Sequence, residues 1–587
     1  MKRPPRRLMA ALCAVWLAAA SAPGAGTGPR TADLMPLSEV RAGQKGVVRT
    51  VFEGGRLEEF EAEIVGVMDN FLGPNQDLIL ARLRGERVEK TGVAGGMSGS
   101  PVYIEGRLVG ALSYRIGSFM KEPIAGITPI HDMLQVATDQ AGERRAPLPG
   151  AVASGPAGVE PIETPLVVSG APGWLLEELA PDLARAGLGG AVAGAAGSPG
   201  EADVAGAPPL EPGRPVAAQL VTGDLSFAAT GTVTHVDGDR VYAFGHPAFL
   251  NGAADLPMAR AEIYMTLPSM QASTKLSRVL DTVGTFRQSR LPAMAGVIGP
   301  KPATIPVSLE VSTAGGPPRR FGYQVVDFRE FTPTLLGLVT AASLVNTAWS
   351  SDEMTVALSG RVAIHGHDDL VINDLYTGFS AAQSAALSLA RDVQGVFGAV
   401  YQNRFEAPRV TSVDLKIASV EQGNVGFVEA VYPTRTQLDP GETVEFRVLV
   451  RPYRGGAFTR RFQYTVPEGT PSGQLVAYIG GAGLLGSVER NVLSRQVTQA
   501  DDLAQLISLI NRLRTNDHLY MKITRRHPGA VVQNEILQAL PPSIYSTLGA
   551  NRGAGEVTPL AETTLHEEGI PLEQIVVGGV AVPLRIR

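Results

Sequence analysis

The chain has 587 residues, of which 44% are apolar and 18% charged, with a net charge of −6. That apolar share excludes global disorder, and the lack of clustered excess Lys and Arg excludes a nucleic-acid surface. A single cysteine, Cys13, excludes a disulfide or metal-cluster scaffold, while 67 glycines and 43 prolines call for many turns, hence a mainly β chain with a few helices.

At ~150 residues per domain the length suggests roughly four domains. Residues 1–26 read as an export signal: a basic start at Lys2, Arg3, Arg6 and Arg7, an apolar stretch from Leu8 to Ala20, then small residues to Gly26. The apolar stretch is too short for a membrane span, and cleavage would leave a mature chain without cysteine, suited to an oxidising compartment outside the cytoplasm. Residues 27–140 form the first β-unit. Val47–Phe52 and Phe60–Met68 flank a turn at Gly54-Gly55, with Phe60, Ala62 and Ile64 alternating against Glu59, Glu61 and Glu63. Val102–Ile104 and Leu108–Tyr114 pair across Glu105-Gly106.

Residues 141–215 are rich in Gly, Ala and Pro and read as a flexible linker holding one short helix, Trp174–Ala186, that ends at Gly187. Residues 216–330 return to strands, with a hairpin turn at Asp237-Gly238, and make a second β-unit. Leu335–Val345 and Ala381–Tyr401 predict helices in a mixed connector, residues 331–405. Val413–Ile417, Val425–Tyr432 and the alternating Val444–Val450 predict a β-sandwich over residues 406–480. Residues 481–587 form an α/β extension in which Leu503, Leu506, Ile507, Ile510 and Leu513 line one helix face, with Thr498 as N-cap.

The chemistry centres on Gly96-Met97-Ser98-Gly99-Ser100-Pro101, just before a hairpin. Small residues on both sides of Ser98 allow a tight turn that presents its hydroxyl as a nucleophile. The N–H groups of Gly96 and Ser98 then converge on a developing oxyanion. The run matches the G-x-S-G-x-P pattern of chymotrypsin-like peptidases, which selects Ser98 rather than Ser100. Serine needs a base, and histidine is scarce, with eight in the chain. His246, in Ala243-Phe244-Gly245-His246-Pro247, stands at a strand end in the second unit; His235 lies on the preceding hairpin. The orienting acid is open among Asp255, nine residues past His246, and Glu262, Asp281 and Asp77, and a Ser–His dyad without an acid is a further alternative.

Gly46–Gly54, Glu89-Lys90-Thr91-Gly92 and Gly96–Pro101 together resemble the nucleophile-bearing half of the SpoIVB serine peptidase family. Thr230-Gly231-Thr232-Val233 with Ala243-Phe244-Gly245-His246 resemble its histidine-bearing half. The resemblance implies a trypsin-like double β-barrel and an endopeptidase that works outside the cytoplasm without metal or cofactor. Two features depart from the family: Ser98 precedes His246, so the halves look circularly permuted, and no PDZ module is visible. Triad chemistry depends on spatial arrangement and not on chain order.

The expectation is a secreted or periplasmic serine endopeptidase acting on protein or peptide substrates. Its fold would be a chymotrypsin-like double β-barrel with a C-terminal β-sandwich, the sandwich available to a cell-envelope partner. The alternative is a catalytically silent double barrel that binds peptides or envelope proteins.

Overall fold

A computed structural model describes residues 33–117, 120–138, 158–188, 191–193, 201–249, 252–348, 353–378, 381–498, 500–526, 529–532, 535–537, 540–541, 543–544, 546–547, 557–560 and 562–587. The expected export signal and Cys13 lie outside the described residues. Among the described residues no helix is long and apolar enough to cross a membrane.

The first β-unit is a closed six-stranded barrel. Its strands are β1 (Lys45–Val51), β2 (Leu57–Gly73), β3 (Gln76–Arg84), β4 (Ser100–Ile104), β5 (Arg107–Ile116) and β6 (Ile124–Pro129), in the order β4-β1-β2-β3-β6-β5, closed by pairing of β5 with β4. The alternation along β2 sets its inside and outside. Ala62 and Ile64 are buried with Val48 and Val102, whereas Glu59 and Glu61 meet Arg49 and Lys45 of β1 on the wet face. At the β4–β5 turn both Glu105 and Gly106 have positive φ, the backbone that a two-residue hairpin of matching twist requires.

Three short strands follow: β7 (Val159–Pro161), β8 (Leu166–Ser169) and β9 (Ala191–Ala193). The expected linker is therefore not a bare tether over its described residues. β7 pairs with β5, β8 with the second barrel, and the helix Gly173–Arg185, closed by Gly187 at φ +82°, buries Leu175, Leu176, Leu179 and Leu183. Its apolar spacing, at i, i+1, i+4 and i+8, gives it a face to bury, so it is drawn into the main core.

The second barrel is also a closed ring of six. β10 (Pro215–Gly223), β11 (Ser226–Asp237), β12 (Arg240–Ala243), β13 (Gly252–Leu267), β14 (Thr274–Arg290) and β15 (Ala293–Ile298) pair in the order β10-β13-β14-β15-β12-β11 and back to β10. The same sheet runs on through β10 to β16 (Thr304–Thr313), β17 (Arg319–Val326), β18 (Met354–Ile364), β19 (Leu370–Gly378) and β20 (Val410–Val420). Helices Thr332–Val345 and Ala381–Tyr401 pack together and share one apolar core with it; every residue of the first is buried. The region expected as a connector is thus part of the main core. Val413–Ile417, expected in the sandwich, instead lies between β16 and β18.

The sandwich itself reaches the end of the chain. One sheet holds β21 (Val425–Pro433), β23 (Thr443–Pro452), β24 (Phe458–Thr465) and β31 (Ile575–Val577). The other holds β22 (Gln437–Leu438), β25 (Gly473–Gly480), β26 (His518–Arg525), β30 (Thr563–Pro571) and β32 (Gly579–Ile586). A small sheet of β27 (Gly529–Val532), β28 (Glu535–Leu537) and β29 (Val557–Leu560) lies between β26 and β30 in sequence. Inward Val444, Phe446, Val448 and Val450 share one core with Leu475, Ala477 and Ile479 and with Leu519, Met521 and Ile523, so strands after residue 480 complete a core that the alternation before it had opened. The helix Leu503–Asn511 is capped by Asp502, whose carboxylate accepts the Gln505 N–H at 2.7 Å, and not by Thr498, which ends the preceding helix.

Candidate active site

Ser98 is carried by a turn wedged between the two barrels. Gly96 (φ +85°) and Gly99 (φ +94°) adopt left-handed backbone, which a side chain resists. The Met97 N–H donates to the Ala94 carbonyl (3.1 Å) and the Ser100 N–H to the Met97 carbonyl (3.0 Å). β11 of the other barrel then locks the turn in place. The Ser98 carbonyl accepts the Thr232 N–H (2.8 Å), the Gly96 carbonyl the Thr232 hydroxyl (3.0 Å), and the Gly99 carbonyl the Thr234 hydroxyl (2.7 Å). A Cβ on Gly99 would overlap the Thr232 carbonyl oxygen, so the backbones meet too closely for any other residue.

His246 is positioned by a complementary device. β12 ends in a three-residue turn in which the Gly245 N–H donates to the Ala243 carbonyl (2.8 Å) around Phe244 at φ +68°. A non-glycine residue with that backbone stores roughly 1–3 kcal/mol of strain. The Phe244 ring sits where a side chain on Gly231 would be, a contact of 2.5 Å for a Cβ built there. Gly245 abuts Ala111 and Ser113 of β5, and its carbonyl accepts the Thr128 hydroxyl at 2.8 Å. The turn thus drives the imidazole into the interface, where it lies beside the rings of Tyr114 and Phe244 at 6.4 and 6.5 Å between centroids.

Both groups are fully enclosed: Ser98 is 0% and His246 2% exposed. The Ser98 Oγ, His246 Nε2 and Tyr114 Oη have no hydrogen-bond partner among the described residues, so no hydrogen bond joins Ser98 to His246. Buried polar atoms without partners are costly, so these three are candidates for a functional role. His246 Nδ1 lies 2.8 Å from the Pro247 carbonyl. A carbonyl only accepts, so the proton sits on Nδ1 and Nε2 keeps its lone pair. Burial pushes the imidazole down to about 4, with the Pro247 and Ile162 carbonyls pulling the other way, so it is neutral at ordinary pH.

The competing serine and histidine are engaged elsewhere. The Ser100 hydroxyl donates to the Met97 carbonyl (2.6 Å) and lies 2.9 Å from Thr50 Oγ1. His235 stacks on Tyr242. The expected acids have partners of their own. Asp255 pairs with Arg287 (3.1 Å), Glu262 with Arg278 (2.7 Å) and Asp281 with Arg260 (2.6 Å), and Asp77 accepts the Asn70 N–H (2.7 Å). The group facing His246 Nδ1 is the Pro247 carbonyl, where the sequence reading expects an acid such as Asp255. Of the two expected oxyanion donors, the Gly96 N–H is already bonded to the Glu163 carbonyl at 3.0 Å.

Lys275 and Tyr114 were not singled out by sequence. Lys275 is buried at the inward end of β14, its stem lies against Gly96, and its ammonium donates to Thr50 (2.8 Å); burial pushes it down to about 7. Its only sequence signal is the alternation of Lys275 and Ser277 with half-buried neighbours. Burial also pushes the Tyr114 phenol up, which keeps it a neutral donor. Among the described residues no three His, Cys, Asp or Glu side chains gather as a metal set.

No curated protein and no solved structure matches the chain. Residues 29–134, the part that carries the Ser98 barrel, match the family model of SpoIVB peptidase S55, which upholds the resemblance to the SpoIVB peptidase family and, with it, a peptidase role in general terms.

Proposed function

We propose that the chain is an exported serine endopeptidase in which Ser98 is the nucleophile and His246 the base. The observation that carries this reading is the selective enclosure of Ser98 Oγ and His246 Nε2, each without a partner at one barrel interface, while Ser100 and His235 are engaged elsewhere.

In this reading Ser98 Oγ attacks a peptide carbonyl and passes its proton to His246 Nε2. The imidazolium then delivers that proton to the leaving amine, and water reverses the sequence on the acyl-enzyme. The Pro247 carbonyl fixes the tautomer in place of a carboxylate, making the pair a dyad. The Ser98 N–H and, once released from Glu163, the Gly96 N–H stabilise the oxyanion. Proton transfer in this reading requires substrate binding to bring Oγ and Nε2 to about 2.6–3.2 Å. The barrel order, Ser98 before His246, is compatible because β11 brings Thr232 onto the Ser98 turn.

The test is covalent labelling by a fluorophosphonate, with peptide mapping. Modification at Ser98 that is lost in Ser98→Ala supports the reading. Modification at Ser100 alone, or folded protein that neither labels nor cleaves any peptide, overturns it in favour of a silent peptide-binding double barrel.

A further inference from the structure

A nucleophile with no exposed surface cannot meet a substrate, so something covers it. A segment of the chain itself lies against the Gly95-Gly96 end of the Ser98 turn, with the Glu163 carbonyl accepting the Gly96 N–H at 3.0 Å. β7 runs antiparallel to β5, with Val159 opposite Ile116, Glu160 opposite Arg115 and Pro161 opposite Tyr114. Beyond these pairs the ladder is extended at both ends: the Gly117 N–H donates to the Gly158 carbonyl (2.7 Å) and the Ile162 N–H to the Ser113 carbonyl (2.8 Å). The next residue places its carbonyl on the Gly96 N–H, and Pro165 accepts the Thr230 N–H (3.1 Å) before β8 joins β11. The segment therefore crosses from one barrel to the other directly past Ser98 and His246.

We infer that the edge of β5 beyond the end of β4 is the substrate groove, and that residues 158–163 occupy it as an intramolecular strap which a substrate must displace. Addition of an extended strand to a free sheet edge is a general way of holding a peptide, with main-chain bonds giving affinity and side-chain pockets giving selectivity. The main-chain bonds are those just described. The pocket holds Ile162, 1% exposed, which belongs to the core formed by Met97, Leu112 and Ala125. The groove thus takes an extended peptide with a branched apolar residue at the Ile162 position. Arg115 holds the strap from outside through Glu160, with Nη2 to Oε2 at 2.7 Å.

The strap is an occupant and not a substrate. Its strand pairing ends at Ile162, yet the carbonyl captured by Gly96 is that of Glu163, and Ser98 Oγ has no hydrogen-bond partner among the described residues. Pairing and carbonyl capture are one residue out of step. The catalytic consequence rests on the peptidase reading of Ser98; the groove itself does not.

The full chain tests this through two strap variants. Ile162→Asp puts a charge into the apolar pocket. Glu160→Arg sets like charges at an exposed position and leaves the core intact, so it keeps the test open if Ile162→Asp does not fold. Fluorophosphonate labelling of Ser98 should be at least ~10-fold faster in Ile162→Asp and ~3-fold faster in Glu160→Arg than in the wild type. A synthetic peptide of the sequence of residues 158–164 should slow labelling of either variant, and the same peptide with Asp in place of Ile should not. A fluorescent form of the peptide, followed by anisotropy, should bind Glu160→Arg carrying Ser98→Ala. If that binding occurs and no form of the protein is ever labelled, the groove stands and the peptidase reading falls. If all forms label at the wild-type rate, or the two peptides act alike, the strap is refuted while the peptidase reading survives.

Discussion

The two barrels carry one candidate site between them but are built differently. The Ser98 barrel is a small closed ring with a core of its own, and its residues make one continuous stretch from β1 to β6. The His246 barrel is the middle of a 13-stranded sheet whose core also takes in the helices Gly173–Arg185, Thr332–Val345 and Ala381–Tyr401. Ser98 thus sits on a self-contained module and His246 on a large scaffold. At Gly99 and Thr232 the contact between them is main chain on main chain, and the Thr128, Thr232 and Thr234 hydroxyls bond across it to backbone carbonyls. Such a joint holds the site by shape, because backbone cannot change rotamer to relieve a misfit.

The largest expected effects break one barrel's chemical contribution at a time. Ser98→Ala should abolish labelling and lower turnover by about 10⁴–10⁶-fold, and His246→Ala should lower kcat by several orders of magnitude. The paired controls are Ser100→Ala and His235→Ala. Ser100→Ala should keep labelling at Ser98 and lose about 1 kcal/mol of stability with its buried hydrogen bond. Loss of cleavage in His235→Ala with normal rates in His246→Ala would move the base to the other histidine.

Breaking the joint itself comes next. Gly99→Ala should cost about 2–5 kcal/mol in urea unfolding, since it combines left-handed backbone with an overlap on Thr232. Gly54→Ala is the control: its φ is also positive, at +60°, but the space around it is open, so only about 1 kcal/mol is expected. Equal losses in the two would mean that backbone strain, and not barrel contact, sets the effect.

The base barrel also makes a pH prediction. Folded His246 holds its proton less tightly than the unfolded chain, so between about pH 4 and 6.5 the unfolded state binds more protons. Stability contributed by this site therefore rises with pH through that window and is lost as pH falls. A lowering from 6.5 to about 4 corresponds to about 3 kcal/mol at about 1.36 kcal/mol per unit. The check is the difference in unfolding free energy between wild type and His246→Gln at pH 7 and at pH 4. This comparison cancels opposing groups such as Asp374, whose carboxyl burial raises to about 6. An unchanged difference would mean that water reaches the imidazole.

The contrast between the barrels also explains what was legible in the sequence. β-Alternation and turn residues act locally, so Phe60–Ile64, Glu105-Gly106 and the helices at Leu335 and Ala381 were readable, as was the mainly β double-barrel class. Gly96–Pro101 is a local backbone device and announced Ser98. Strand partners are set by distant residues, so nothing in Val413–Ile417 showed that it would enter the 13-stranded sheet beside β16. The same holds for Ile162: a short apolar residue in a Pro- and Glu-containing stretch looks like linker until β5 is beside it. Lys275 is hidden for the same reason, being an ordinary charge in an alternating strand until the Gly96 turn covers it.

The smallest expected effect concerns the acid that the sequence placed at Asp255. A triad acid stabilises the imidazolium and fixes its tautomer, and losing one lowers turnover by about 10⁴-fold. In this structure the tautomer is fixed by the Pro247 carbonyl, and Asp255 is paired with Arg287 at 3.1 Å with both side chains partly exposed. Partly exposed pairs contribute about 0.2–1 kcal/mol. Asp255→Asn should therefore change kcat by less than about threefold and stability by no more than about 1 kcal/mol. The pH profile separates the two roles better than the rate does. Removing a true triad carboxylate would shift the acidic limb of kcat/KM as well as its height, since the carboxylate sets the imidazole's proton affinity. Removing a remote ion pair leaves that limb where it was. A drop of a thousandfold or more in Asp255→Asn, with a displaced acidic limb, would show that substrate binding swings His246 off the Pro247 carbonyl and onto Asp255, and the dyad would have to be redrawn as a triad assembled in the complex.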